Sequence, residues 1–109
     1  MLLFDWDINK AKENVLKHNV TFEEAKTVFE DENGILIADP DHSEFEERFI
    51  LIGFSAKANM LIVCHCYRQE SVVGEIIRII SARKPTKKEI EVYKEGNNLW
   101  ETNMTLVKE

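Results

Sequence analysis

Between Ile76 and Lys88 the chain reads IIRIISARKPTKK, which holds five bases, Arg78, Arg83, Lys84, Lys87 and Lys88, and no acid. Its first half is rich in β-branched residues, as strands are, so it would deliver these cations in extended order to one end of a sheet. Arginine's planar fork grips two oxygens of a phosphate at once and stays charged, which makes Arg78 and Arg83 the first candidates for holding a phosphate. The whole chain carries a formal charge of -6, so charge is polarised along it. Screening limits the reach of distant carboxylates to roughly 8 Å, and the local composition outranks the acidic balance. The plainer alternative is that these arginines pair with Glu75, Glu89 or the acidic middle of the chain, as surface arginines do. Lys84, Lys87 and Lys88 would likewise serve as a solvated helix start, although cations there oppose the helix dipole.

His65 is the candidate for proton transfer, because imidazole is the side chain suited by default to that task near neutrality. Alternation in a strand places Leu61, Val63 and Tyr67 on its face, and places Arg78 with Ile76 and Ile80, against Ile77, Ile79 and Ser81. If His65 and Arg78 share a face, a base or acid sits beside a phosphate clamp; otherwise His65 is a packed core histidine. His18 reads as a helix-end residue and His42 as part of the turn at Asp39, Pro40 and Asp41. Cys64 and Cys66, two apart in a strand, point the same way and cannot easily form a disulfide. With His65 on the opposite face and no second ligand cluster, neither a metal nor another cofactor is expected. Phe22 to Glu47 contains ten acids. It suits a solvated face, or a surface for a basic partner, rather than a nucleic-acid site. Trp6 and Trp100 read as core or interface anchors.

These residues need a frame to hold them. The chain has 109 residues, 44% hydrophobic, enough for one domain with its own core. We expect that domain over residues 1–96, with an apolar extension over 97–109 packed on the domain or on a partner. No apolar run approaches the roughly 20 residues that span a bilayer, and the start has no signal-peptide pattern, so a cytoplasmic protein without membrane contact is expected. Leu2 to Trp6 reads as a strand, and Asp7 caps a helix from Ile8 to Lys17 that closes at His18 and Asn19. Thr21 and Glu24 form a capping box for a second helix running to Phe29, with Phe22, Ala25, Val28 and Phe29 on its inner stripe. Four β-rich runs follow, from Gly34, Arg48, Met60 and Glu75, with turns at Ser55–Asn59 and Gln69–Gly74. Thr86 and Glu89 cap a last helix bearing Ile90 and Tyr93, which Gly96 would stop. The fold class is therefore α+β in the order β-α-α-β-β-β-β-α, an antiparallel sheet packed by a helical hairpin.

Nearly the whole chain resembles the BrnT toxins of type II toxin–antitoxin systems. The resemblance rests on Phe4, Asp5, Trp6 and Asp7; on Lys10, Ala11, Asn14, Lys17 and His18; on Phe22 to Ala25 with Val28 and Phe29; on Ser43, Glu44, Glu47 and Arg48; on Ile52 and Gly53; and most specifically on Ile77 to Arg83, followed by Thr86, Glu89 and Tyr93. It implies a RelE-like fold and a ribonuclease that arrests translation. It also implies a partner, a BrnA antitoxin with a ribbon-helix-helix domain, through which alone the toxin meets DNA. The chain departs from the family in its acidity, in Cys64 and Cys66, and in the extension beyond Gly96. Metal-free RNA cleavage uses the 2′-hydroxyl as nucleophile and asks the protein for a base, an acid and cations. In that setting Arg78 and Arg83 would stabilise the transition state and His65 would move a proton. Arg68, Lys84 and Lys88 would hold the RNA backbone, and Tyr93 would stack on a base or donate a hydrogen bond. The alternative function is a non-catalytic module that binds the antitoxin as a co-repressor, which the acidity favours. Under either reading the antitoxin is expected to cover the Arg78–Lys88 surface.

Overall fold

The computed structural model describes residues 2–39, 47–70 and 74–102. The expected turn at His42, residues 43–46, the tip of the turn before Gly74 and residues 103–109 lie outside the described residues. Strand β1 (Leu3–Asp5) leads into α1 (Ile8–His18) and α2 (Phe22–Thr27), which tightens into a 3-10 turn at Val28–Glu30. Four strands follow, β2 (Ile35–Ala38), β3 (Phe49–Phe54), β4 (Met60–Glu70) and β5 (Gly74–Arg83), and the chain then enters α3 (Lys87–Thr102). The sheet runs β1-β5-β4-β3-β2. Strands β2 to β5 pair antiparallel, while β1 adds to β5 in parallel through Leu3, Phe4 and Asp5. The sheet is therefore mixed, a correction to the purely antiparallel expectation.

Local chemistry sets the element ends. The Asp7 carboxylate accepts from the backbone N–H groups of Asn9 and Lys10 at 2.8 and 3.1 Å, and Asn19 closes α1 in the left-handed conformation at φ 57°. Thr86 and Glu89 form both halves of their capping box. At α2 only half a box forms. Thr21 Oγ accepts from Glu24 N, but the Glu24 carboxylate turns away and accepts from Ser55 Oγ at 2.7 Å and Asn59 Nδ2 at 2.9 Å. It ties the helix to the β3–β4 turn. These hydrogen bonds outweigh the burial that would raise its pKa and leave it lowered.

Two cores flank the sheet. On one face α1 and α2 bury Phe22, Ala25 and Val28 against Leu51, Leu61, Val63, Ile79 and Ala82. Edge-to-face aromatic contacts, Trp6 on Phe22 and Phe4 on Phe29, close that layer. On the other face α3 sets Tyr93 and Val92 against Ile52 and Ile62. Gly96 does not stop this helix. It is the point where α3 passes β2 so closely that a Cβ would lie 2.8 Å from Ile35 Cδ1. The helix thus runs through the expected domain boundary at residue 96.

Candidate functional site

One residue decides how β5 presents its cations. In the ladder Cys64 pairs with Ser81 but His65 pairs with Ile79, so Ile80 is an extra residue that forms a bulge. Arg78 and Arg83 are separated by five positions, which regular alternation would send to opposite faces. The bulge adds one residue and brings both to the α3 side, Arg78 opposite Cys66 and Arg83 opposite Ile62. Arg68 shares the parity of Cys66 and falls on that side too. Arg48 precedes Phe49, whose ring lies on the helix-hairpin side, and lines a cavity with Arg83. Those are the four arginines of the chain. All of them lie on one face of the sheet.

Carboxylates hold these guanidinium groups in two clusters. At the β1 end, Asp5 accepts from Arg78 at 3.2 Å and from Arg68 at 3.4 Å. One negative charge between two positive ones leaves a net cation with spare N–H donors. At the other end Arg83 grips Glu89 with both terminal nitrogens, each at 2.9 Å, and donates to the Lys84 carbonyl at 3.2 Å. The Arg83 fork and the Thr86 backbone N–H hold the Glu89 carboxyl down to about 2, and Glu89 in turn raises the Arg83 pKa. The ladder partners of Arg78 and Arg83, Cys66 and Ile62, are four residues apart on β4, so the two clusters are roughly 13 Å apart at about 3.3 Å per residue. Beside Arg83 opens a cavity of about 350 Å³, lined also by Arg48, Asp39, Cys64 and Ser81. Burial and the neighbouring Asp39 push the Cys64 thiol up to about 11, so it stays protonated and is no nucleophile.

Two expected site residues lie elsewhere. His65 is fully buried on the helix-hairpin side, opposite to the arginines, with Phe29 packed edge-on at 4.8 Å. Its Nδ1 lies 3.1 Å from the Val63 carbonyl, which can only accept, so Nδ1 carries the proton and Nε2 accepts from the Tyr67 hydroxyl at 3.2 Å. Burial lowers its pKa and keeps it neutral. It is a satisfied core histidine, and the catalytic expectation for it is corrected. Tyr93 is buried as well. Its hydroxyl donates to Asp31 at 2.8 Å and its ring meets Phe54, which removes it from any base-stacking role. Burial and the Asp31 hydrogen bond push it up to about 12. Lys84 and Lys88 are exposed near the Arg83 end.

Sequence reasoning missed Arg48, whose place depends on pairing across β3, and it missed the work of Asn14. The buried Asn14 amide donates to the Val20 carbonyl at 2.9 Å and to the Ala82 carbonyl at 2.8 Å, and accepts from Ala82 N–H at 3.0 Å. Because β1 ends opposite Arg78, this part of β5 has a bare outer edge. The amide pairs with it as a further strand residue would.

The arrangement can bind phosphates along one face and neutralise charge that develops on them. A family model described as "Ribonuclease toxin, BrnT, of type II toxin-antitoxin system" matches residues 6–89. The fold is similar to the crystal structure of the Brucella abortus ribonuclease toxin BrnT, with a TM-score of 0.53 and 19% identity, covering 80% of this chain and 100% of that one. No curated protein matches the chain in sequence.

Proposed function

The chain belongs to the BrnT family of ribonuclease toxins of type II toxin–antitoxin systems, and from that premise we propose that it is a metal-independent endoribonuclease that cleaves RNA and thereby inhibits translation. Its partner is an antitoxin of the BrnA type with a ribbon-helix-helix domain, which covers the arginine face and links the toxin to DNA only indirectly. We read the architecture as RelE-like and the setting as cytoplasmic. The observation that carries this reading is the convergence of Arg48, Arg68, Arg78 and Arg83 on one sheet face, with Arg68, Arg78 and Arg83 fixed by carboxylates. Preorganised forks of this kind are suited to hold a polyanion and to stabilise an oxyphosphorane. Arg83 is the residue we assign to the transition state and Arg78 to the neighbouring phosphate, with Arg68, Lys84 and Lys88 on the flanking backbone.

The test is cleavage of a long single-stranded RNA by the antitoxin-free protein in excess EDTA. Arg83→Ala and Arg78→Ala should each lose cutting while still melting cooperatively as folded proteins; folded variants that cut at the parental rate would remove these arginines from the site. A second reading, a non-catalytic co-repressor that binds the antitoxin, is favoured by one observation: His65, the histidine expected to serve the arginine face, is sealed in the core. A folded parental protein that binds the antitoxin and neither cuts RNA nor arrests a translation extract would establish it.

A further inference from the structure

Beyond Arg78, where β1 ends, the outer edge of β5 runs beside α1, and the two enclose a cleft of about 180 Å³. Lys10, Glu13, Asn14, Lys17 and His18 line it from α1, and Ile80 and Ser81 line it from β5. The α1 residues fall at helical spacings of three and four, so one stripe of the helix faces the strand. Asn14 is the clamp to Ala82 that holds the walls together. The remaining side chains supply two cations, a carboxylate and an imidazole. Ile80 and Ser81 also line the arginine cavity, so the β5 bulge is a ridge with cations on both flanks. Bulges are enriched beside active sites because they re-aim the chain at such a point.

The arginine face supplies positive charge, and the histidine expected to serve it is sealed away. His18, by contrast, is exposed at the last turn of α1 and lines the cleft. Resting on the ribonuclease reading, we propose that the RNA strand crosses β5 at the bulge, that the scissile phosphate lies over this ridge between Arg83 on one flank and the α1–β5 cleft on the other, and that Glu13 and His18 reach it from the cleft and carry out the proton transfers. The Glu13 carboxylate takes the proton of the 2′-hydroxyl as that oxygen bonds to phosphorus. The bond from phosphorus to the 5′ oxygen breaks, its electron pair stays on that oxygen, and protonated His18 supplies the proton that makes the leaving hydroxyl. The products are a 2′,3′-cyclic phosphate and a 5′-hydroxyl. Lys10 and Lys17 face the same space and offset the charge of the five-coordinate phosphorus. The charged groups that share the cleft with His18 are thus Lys10, Glu13 and Lys17 on its own helix, and across from it β5 contributes Ile80 and Ser81.

The experiment is single-turnover cleavage of an RNA oligonucleotide in EDTA, as a function of pH, by the full chain and by His18→Gln, His18→Asn, Glu13→Gln and Lys12→Ala. Product ends are analysed, and binding of an uncleavable 2′-O-methyl strand is measured in parallel. His18→Gln and His18→Asn should slow cleavage by about 100-fold or more, remove one limb of the pH profile and leave binding of the 2′-O-methyl strand unchanged. Glu13→Gln should remove the other limb, and Lys12→Ala, outside the cleft, should behave as the parent. Parental cutting together with unaffected His18 variants, or products with 5′-phosphates, would overturn the cleft assignment and leave the ribonuclease reading intact. A folded parent that cuts nothing would overturn both.

Discussion

At the scale of single residues, the ion pair of Arg83 with Glu89 both orients the guanidinium and ties β5 to the start of α3. Two parallel hydrogen bonds fix the plane of the fork, so lysine, a point charge, cannot replace it. Arg83→Lys should therefore keep much of the RNA affinity but lose most of the cleavage rate, read as a fall in kcat larger than any rise in KM. The same pair predicts a pH dependence of stability. Glu89 titrates at about 2 in the folded chain, below its ordinary value of 4.5. Its contribution is present above the unfolded value and is lost as pH falls from about 5 to about 2. Arg83 is more than a third exposed, so solvent screening limits the contribution to less than about 1 kcal/mol. Urea unfolding should find the parent and Glu89→Gln furthest apart near neutrality and converging in acid; an unchanged gap would mean that the pair adds no pH-dependent stability. His65 marks the limit of reading residues alone. A lone strand histidine is more often a packed core residue than a catalyst, and the arginines of the neighbouring strand leave both readings open. Only the placement of Phe29 and of the Val63 carbonyl decides between them.

At the scale of elements, what the sequence made legible was local. The caps at Asp7, Asn19 and Thr86 depend on neighbours within four residues, and they form where side-chain chemistry requires. The bulge at Ile80 was not legible. It arises from how β5 matches β4, and it alone decides that Arg78 and Arg83 share a face. Gly96 was misread for a related reason: glycine ends helices often, but here it serves a close approach of α3 to β2 that no local pattern encodes. Glu24 likewise left its box for a turn 31 residues away at Ser55. Asn14 and Tyr93 join elements by buried polar contacts, and they give predictions that separate structure from catalysis. Asn14→Ala would leave backbone groups of Ala82 and Val20 unpaired, at a cost of about 2–3 kcal/mol in denaturant unfolding. Tyr93→Phe loses one hydrogen bond to Asp31 and should cost about 1 kcal/mol, with RNA cleavage by the folded protein unchanged. A Tyr93→Phe protein that folds as stably as the parent but cuts poorly would return this tyrosine to the site.

At the scale of the whole molecule, the chain is acidic while every arginine lies on one sheet face. Net charge therefore says little about what that face binds, because a cluster of cations acts within a Debye length. Binding there should instead depend on salt in proportion to the phosphates it engages. For a single strand, log K falls with log salt at a slope of about −0.7 per phosphate contact, so four arginines predict a slope of about −3 and the addition of Lys10 and Lys17 about −4. Fluorescence anisotropy with a 2′-O-methyl RNA over a range of salt measures this slope directly. Replacing Lys10 and Lys17 by alanine should flatten it by about 1.4 if the strand enters the α1–β5 cleft, and should leave it unchanged if RNA stays on the arginine face. The antitoxin complex offers the matching comparison. If the antitoxin covers the arginine face by charge complementarity, its affinity must also weaken with salt, and bound antitoxin must exclude the RNA probe. A salt-insensitive complex that still admits the probe would place the antitoxin on another surface, and neutralisation would then have to act through a change in the site and not through its occlusion.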